Sequence, residues 1–384
     1  MTIHILPTDL SSQISSGKII ERPASVIKEI IENSIDAGSK NINIAIEKSG
    51  LKSIIVNDDG YGIKKKELLL AVTRHATSKI NVLSDLDSIS TFGFRGEALA
   101  NIRAVSRLTL ISCYDSKEIG WKIYSEGFMH NKDIILQPIA HPKGTTIIIE
   151  NLFYNIPVRL KFIKNEKLEF IQIFKVIKKI ALSHFHINFS LKHNKKLILQ
   201  YNAVKNKKNR LKDVLNTFDI NKMIQIKSNI NDILLFGWIL CPENFQLLNN
   251  IKYFYINNRY IHDHAIINII RSAYEKIKEG RDISFILYLQ IPSNKIDINI
   301  HPTKNEIRFH DSHEIHTFIY ETILFHLNKF QNKYFFNNPM FYKNNLATYK
   351  KNKLNYFELL YLKFFILISS YFSKKDFVSQ KKKI

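Results

Sequence analysis

The segment from Arg22 to Gly38 narrows the choice of folds more than any other part of the chain. Pro23 suits a first helical turn, Val26, Ile27, Ile30, Ile31 and Ile35 recur at helical spacing, and Gly38 stands where a left-handed cap belongs. Two strands follow at once. Residues 41–46 alternate in polarity, and 52–56 run into the turn-rich Asn57-Asp58-Asp59-Gly60-Tyr61-Gly62. A helix followed closely by antiparallel strands predicts an α+β fold, a two-layer α/β sandwich, with further strands over 107–113, 119–125 and 144–150.

At 384 residues the chain has room for two domains. The stretch 202–212 carries Lys205, Lys207, Lys208, Arg210 and Lys212 with hardly an apolar residue, which predicts a solvated junction. A first domain is therefore expected over 1–205. A second, smaller α/β domain is expected over 206–333, with strands at 285–291 and 296–300 and a helix over 264–279 capped by Asp263. The remainder, 334–384, is rich in Asn, Lys and aromatic residues and reads as a basic, poorly ordered tail.

Lysine and arginine number 56 against 34 acidic residues, a net charge of +22, which points to a polyanionic partner. Two readings of that charge stand: a selected basic surface, and the Lys, Asn and Ile enrichment of A/T-rich codons. Cys113 and Cys241 are far apart and form no C-x-x-C pair, which implies a reducing, cytoplasmic setting without a disulfide framework or zinc site. No signal-peptide pattern opens the chain. The apolar run from Tyr356 to Phe372 is broken by Glu358 and Lys363 and falls short of the ~20 residues a membrane span needs, so no membrane partner is expected.

Glu29 and Asn33 lie one turn apart on the first helix, with Asp36 just beyond. Alone, such a stripe is the solvent face of an amphipathic helix. It also has the chemistry of a magnesium–nucleotide site, since an amide oxygen can coordinate a hard cation and a carboxylate can take a proton from water. Asp58, at a strand end before Gly60 and Gly62, could accept from an exocyclic amino group such as that of adenine, although a plain hairpin explains the same turn. More specific is Thr73-Arg74-His75-Ala76-Thr77-Ser78-Lys79-Ile80 followed by Gly93-Phe94-Arg95-Gly96-Glu97-Ala98-Leu99. Gly93 and Gly96 precede a helix expected from Glu97 to Val105, whose first amides can face a phosphate. No Walker-type G-x-x-x-x-G-K-[ST] is present.

The string from Gly93 to Leu99 resembles, residue for residue, the signature of the MutL family of DNA mismatch repair proteins, within the superfamily of gyrase B, heat-shock chaperones and histidine kinases. The segments 21–29, 32–38, 74–80, 151–157 and 301–304 are similar to that family as well, so the resemblance covers about 1–333. It implies a Bergerat-type ATPase domain, ATP and Mg2+ as cofactors, and a transducer-like second domain. By position, Glu29 resembles the water-activating base, Asn33 the magnesium ligand, and Asp58 the adenine reader in a pocket shaped by Gly60 and Gly62. Thr77, Ser78 and Lys79, with Gly93, Phe94, Arg95, Gly96, Glu97, Ala98 and Leu99, resemble the lid over the triphosphate. Thr145 is similar to a residue of the last nucleotide-binding strand, and Lys304 to one that reaches the γ-phosphate from the second domain. The implied partners are DNA, bound largely without regard to sequence, a MutS-type mismatch-recognition protein, a downstream nuclease or helicase, and a second copy in an ATP-dependent homodimer.

Departures from the family pattern are Lys18 for a usual glutamate, Asp59 for Asn, Asn258 for the glycine of Asn-Gly-Arg, and His264 where some relatives have a basic residue in the DNA-facing region. The family's C-terminal dimerisation domain is expected to be absent, and no Asp-x-His-Ala-x-x-Glu nuclease string occurs. A different class of function, a DNA-binding scaffold with a decayed ATPase, is argued against by the intact Glu29, Asn33, Asp58 and Lys304. His262, Asp263 and His301 read poorly as a metal cluster because Asp263 already has a capping role.

Overall fold

The computed structural model describes residues 20–80, 82, 91–93, 96–127, 133–163, 165–215, 220–241, 251–277, 283–297 and 307–337. Phe94, Arg95 and Lys304, with Lys18 and His301, lie outside the described residues. Helix α1 (Pro23–Asp36) forms where the periodicity places it, with proline in its first turn and Gly38 at φ +71° just past its end. Val26, Ile27, Ile30 and Ile31 are wholly buried. Each contributes roughly 1.5 to 3 kcal/mol through loss of water contact, which outweighs the modest helix propensity of β-branched residues.

That stripe covers an eight-stranded sheet made of β1 (Asn41–Glu47), β2 (Ser53–Asp58), β3 (Arg107–Cys113), β4 (Gly120–Glu126), β5 (Gln137–Ile139), β6 (Gly144–Glu150), β7 (Asn188–His193) and β8 (Lys196–Tyr201). The order is β5-β4-β3-β6-β2-β1-β7-β8, antiparallel except for the parallel pair β1–β7. Helices α2 (Leu68–Ala71), α3 (Ala98–Ala104), α4 (Pro157–Phe162) and α5 (Glu166–Ala181) complete this layer of structure, α5 capped by the Asn165 side chain. The strands expected at 107–113 and 144–150 have those bounds, and the one expected at 119–125 is displaced by a single residue.

The lysine-rich stretch is largely exposed, as expected, but it is not an unstructured junction. Most of it lies in helix α6 (Lys207–Leu215), whose Arg210, Leu211, Val214 and Leu215 are buried. Arg210 is 0% exposed and donates from Nη2 to the carbonyls of Phe185 (3.3 Å), Ile187 (2.6 Å) and Asn202 (2.9 Å). One guanidinium can satisfy several carbonyls while its stem packs apolarly, so a basic composition concealed a structural anchor.

The second sheet has strands β9 (Met223–Ile230), β10 (Ile233–Leu240), β11 (Lys252–Ile256), β12 (Arg259–Ile261) and β13 (Phe285–Gln290), in the order β12-β11-β13-β10-β9. A two-stranded ribbon, β14 (Ile296–Asp297) with β15 (Arg308–Phe309), stands apart. Alternation sends Ile233, Leu235, Phe254, Phe285 and Leu287 to one side, where helices α7 (His264–Glu275) and α8 (Ser312–Asn337) add Ile266, Ile270, Ile319 and Ile323. Trp238, Tyr255, Ile286 and Tyr288 face the other way and join the core of the first sheet. Tyr255 and Tyr288 anchor this seam by donating to the carbonyls of Lys179 (2.9 Å) and Leu182 (2.7 Å). Both sheets thus lie in one compact unit that extends to Leu327.

Asp263 caps α7 as expected, accepting from the amides of Ala265 (2.7 Å) and Ile266 (3.4 Å). Helix α8 runs through the expected limit at 333 as far as Asn337. Among the described residues no helix is long and apolar enough to cross a membrane; the run from Tyr356 to Phe372 lies outside them.

Candidate active site

Strand parity explains how a carboxylate comes to be buried here. Ile54, Val56 and Asp58 alternate inward along β2, and the register pairs Asp58 with Thr145 of β6, which in turn pairs with Ser112 of β3. Inner rows that are aliphatic for most of their length therefore end in three polar side chains. Asp58 is 6% exposed. Its Oδ2 accepts from the Ser34 hydroxyl of α1 (2.7 Å) and its Oδ1 from the Gly60 amide (2.9 Å). Burial pushes the carboxyl up from the usual aspartate range, while the hydrogen bonds from Ser34 and Gly60 pull it back. The Thr145 and Ser112 hydroxyls share a hydrogen bond of 2.9 Å.

Two glycines let the backbone close around this corner. Gly62 has φ +74°, and a Cβ there would stand 2.1 Å from the carbonyl oxygen of Cys113; Gly144 has φ +125°, and its Cβ would stand 2.1 Å from the carbonyl oxygen of Asp58. No side chain fits either place. Gly60 lies directly under Ala37 at the end of α1. The Asp59 exchange is also accommodated, because that carboxylate accepts from the amides of Lys40 (2.7 Å) and Asn41 (2.8 Å) and fixes the start of β1.

The polar face of α1 forms the wall above. Glu29, Asn33 and Asp36 are all half-buried. Lys79 brings its ammonium to Asn33 Oδ1 (3.1 Å) and Asp36 Oδ2 (2.6 Å), while the amides of Phe92 (3.0 Å) and Gly93 (3.2 Å) donate to the Asp36 carboxylate. Both expected lid segments therefore root on one aspartate. Thr77 Oγ1 accepts from the Lys79 amide (3.2 Å), and Ser78 is exposed. Gly96 has φ +62°, Glu97 faces His75 at 3.3 Å, and Ala98 and Leu99 open α3.

The donor set suits a hard cation. The ammonium of Lys79 already sits against the Asn33 oxygen and the Asp36 carboxylate, so this place attracts positive charge. Among the described residues no group of three or more His, Cys, Asp or Glu side chains could hold a metal unaided. A magnesium ion here would take Asn33 as its protein ligand and complete its shell from phosphate oxygens and water.

Sequence reasoning missed the fixing of Asp58 by Ser34, the hub at Asp36, and a second-domain arginine. Arg259 of β12 is 8% exposed, donates from Nη2 to the Thr91 carbonyl, and lies 4.9 Å from the Phe92 ring centre. Asn257 and Asn258, in the turn before it, have φ +46° and +67°, so Asn258 does adopt the left-handed geometry its glycine counterpart would supply.

His184 packs against the same Phe92, with ring centres 5.3 Å apart. Burial pushes its imidazole down to about 4, against an ordinary 6.5, despite a hydrogen bond to the Ile180 carbonyl. Between those values the unfolded chain binds the proton and the folded chain does not. Its contribution is therefore intact above pH 6.5, and about 3 kcal/mol is lost as pH falls from 6.5 towards 4. Urea unfolding across that window should show the loss in the parent and a flatter profile in His184→Gln; matching profiles would assign the pH dependence to another group.

A family model described as a histidine kinase-, DNA gyrase B- and HSP90-like ATPase matches residues 20–148, and one described as a DNA mismatch repair protein, C-terminal domain, matches 211–328. The DNA mismatch repair protein MutL of Buchnera aphidicola subsp. Acyrthosiphon pisum (strain Tuc7) is 61% identical over 378 residues, 98% of this chain; the chain spans 64% of that relative's length. The crystal structure of the N-terminal domain of a DNA repair protein shares the fold with TM-score 0.70 at 24% identity, over 83% of this chain and 98% of that one. The Aquifex aeolicus MutL ATPase domain complexed with ADP is similar with TM-score 0.54 at 26% identity, over 71% and 93% of the two chains.

Proposed function

Because the chain belongs to the MutL family of DNA mismatch repair proteins, we propose that it is a slow, magnesium-dependent ATPase acting as a conformational switch between mismatch recognition and strand processing. The observation that carries this reading is the Asp58 corner: a buried carboxylate held by Ser34 and Gly60, within a backbone cradle closed by Gly62 and Gly144, beside a helix face bearing Glu29 and Asn33. A buried acceptor of this kind matches the exocyclic amino group of adenine. The ADP complex of the similar Aquifex domain supports the same ligand class.

Glu29 would take a proton from the attacking water as its oxygen bonds to the γ-phosphorus and ADP leaves with the bridging oxygen. Magnesium, when bound, would neutralise charge on the phosphate oxygens. Asn33 would hold it, and Lys79 would be freed to turn its ammonium towards phosphate. Thr77, Ser78 and residues 93–99 would close over the triphosphate, with Lys304 approaching from the second domain. Closure would favour pairing of two copies and engagement of DNA, a MutS-type protein and a downstream nuclease or helicase.

Titration of the purified chain with a non-hydrolysable ATP analogue, phosphate release with and without magnesium, and sedimentation velocity test this reading. The expected results are saturable binding, magnesium-dependent turnover and a monomer that dimerises with the analogue. A chain that binds no analogue would remove the proposed switch.

A further inference from the structure

We propose that Arg259 is a positioning residue through which the second sheet holds the root of the lid against α1, and that ATP binding depends on this hold. The inference rests on the reading of the site as an ATP pocket. Strand β12 belongs to the second sheet, yet its first side chain crosses into the first domain. The arginine starts from a fixed base, because the Asn257 amide nitrogen donates to the Ile291 carbonyl (2.7 Å) and its oxygen accepts from the Ile291 amide (3.0 Å). From there the guanidinium takes the Thr91 carbonyl as its acceptor and lies over the Phe92 ring.

The next two amides along the chain, those of Phe92 and Gly93, are the ones that bind Asp36. Asp36 holds Lys79, and Lys79 reaches Asn33. A continuous set of polar contacts therefore runs from a second-domain strand to the proposed magnesium ligand. Arg259 also lies within the electrostatic reach of Glu32, Asp36 and Glu29. Its loss would leave three carboxylates less compensated on the face that must receive a polyanionic triphosphate.

An aliphatic side chain would fill this seam without the desolvation cost of a buried cation. The arginine offers something an aliphatic residue cannot: a planar donor that fixes one carbonyl while stacking on the neighbouring ring.

The test uses the full chain as parent and as Arg259→Gln, Arg259→Lys, Asp36→Asn and the Arg259→Gln/Asp36→Asn double variant. It reads affinity for a non-hydrolysable ATP analogue beside the thermal midpoint. Arg259→Gln should weaken binding about tenfold or more, as expected for loss of a charged hydrogen bond. Arg259→Lys, which keeps the charge and a donor but not the planar stack, should recover only part of that loss. Because both residues act through the 91–93 segment, the double variant should bind no more than about twofold worse than the weaker single variant. Arg259→Gln with parental affinity, or losses that simply add, would overturn the proposal. If Arg259→Gln does not fold, Arg259→Met, which fills the seam with neither charge nor donor, takes its place beside Asp36→Asn under the same twofold criterion. Parent protein that binds no analogue refutes the ATP reading itself, whereas parent binding with an unaffected Arg259→Gln refutes only the positioning role.

Discussion

Glu29→Gln is expected to bind the non-hydrolysable ATP analogue as the parent does, and to release phosphate about 10²- to 10⁴-fold more slowly. Glu29 projects from the half-buried face of α1, one turn before Asn33, and glutamine matches its shape and helix propensity. The substitution removes only the ability to take a proton. A general base acts on water in the transition state and adds little to ground-state affinity, so turnover and binding should separate. Dimerisation with the analogue should persist for the same reason. Single-turnover phosphate release beside an equilibrium titration decides the matter, and parental turnover in Glu29→Gln would assign the base elsewhere.

Asp58→Asn should have the opposite profile, losing the ligand while gaining stability. The carboxylate offers adenine an acceptor beyond those used by Ser34 and Gly60; an amide there presents donors as well, and an unpaired buried group costs about 1 to 3 kcal/mol, roughly a five- to 150-fold loss of affinity. The stability change follows from the raised carboxyl. Above the ordinary aspartate value the folded state holds this proton more tightly than the unfolded state, so ionising Asp58 at neutral pH costs folding free energy. Asparagine removes that cost. The thermal midpoint of Asp58→Asn should exceed the parent's near pH 7, and the gap should close as pH falls through the raised carboxyl value towards the ordinary one. A lower midpoint at neutral pH would mean that the hydrogen bonds to Asp58 stabilise the fold more than its burial destabilises it.

Much of this site was legible from residue order. The 3.6-residue period of α1 places Glu29 and Asn33 on the face opposite Ile27 and Ile31, and the two-residue period of β2 places Asp58 in line with Ile54 and Val56. The string 93–99 identified the family without any coordinates, because its glycines and charges make little sense as ordinary surface. The lid residues Phe94 and Arg95 and the lysine at 304 stay expectations, since they lie outside the described residues.

Other features depended on contacts between distant segments. Composition presented 202–212 as solvent-exposed, and most of it is, but Arg210 meets three carbonyls from two separate stretches of chain and is buried. Asp36 looked like a third member of a polar stripe, yet it gathers Lys79 and the amides of Phe92 and Gly93. The residue order marks Arg259 only as the arginine that ends the match to Asn-Gly-Arg, and says nothing of what it touches.

Local periodicity, turn chemistry and one specific string thus determined the elements, their buried faces and the class of the first domain, because those depend on backbone geometry over a few residues. Only the tertiary structure decided that Ser34 fixes Asp58, that one aspartate roots both lid segments, and that a second-domain arginine holds the lid root. Each of those is a hydrogen bond between groups far apart in sequence. Such a bond is set by how sheets and helices come together, and no repeat in the residue order encodes it.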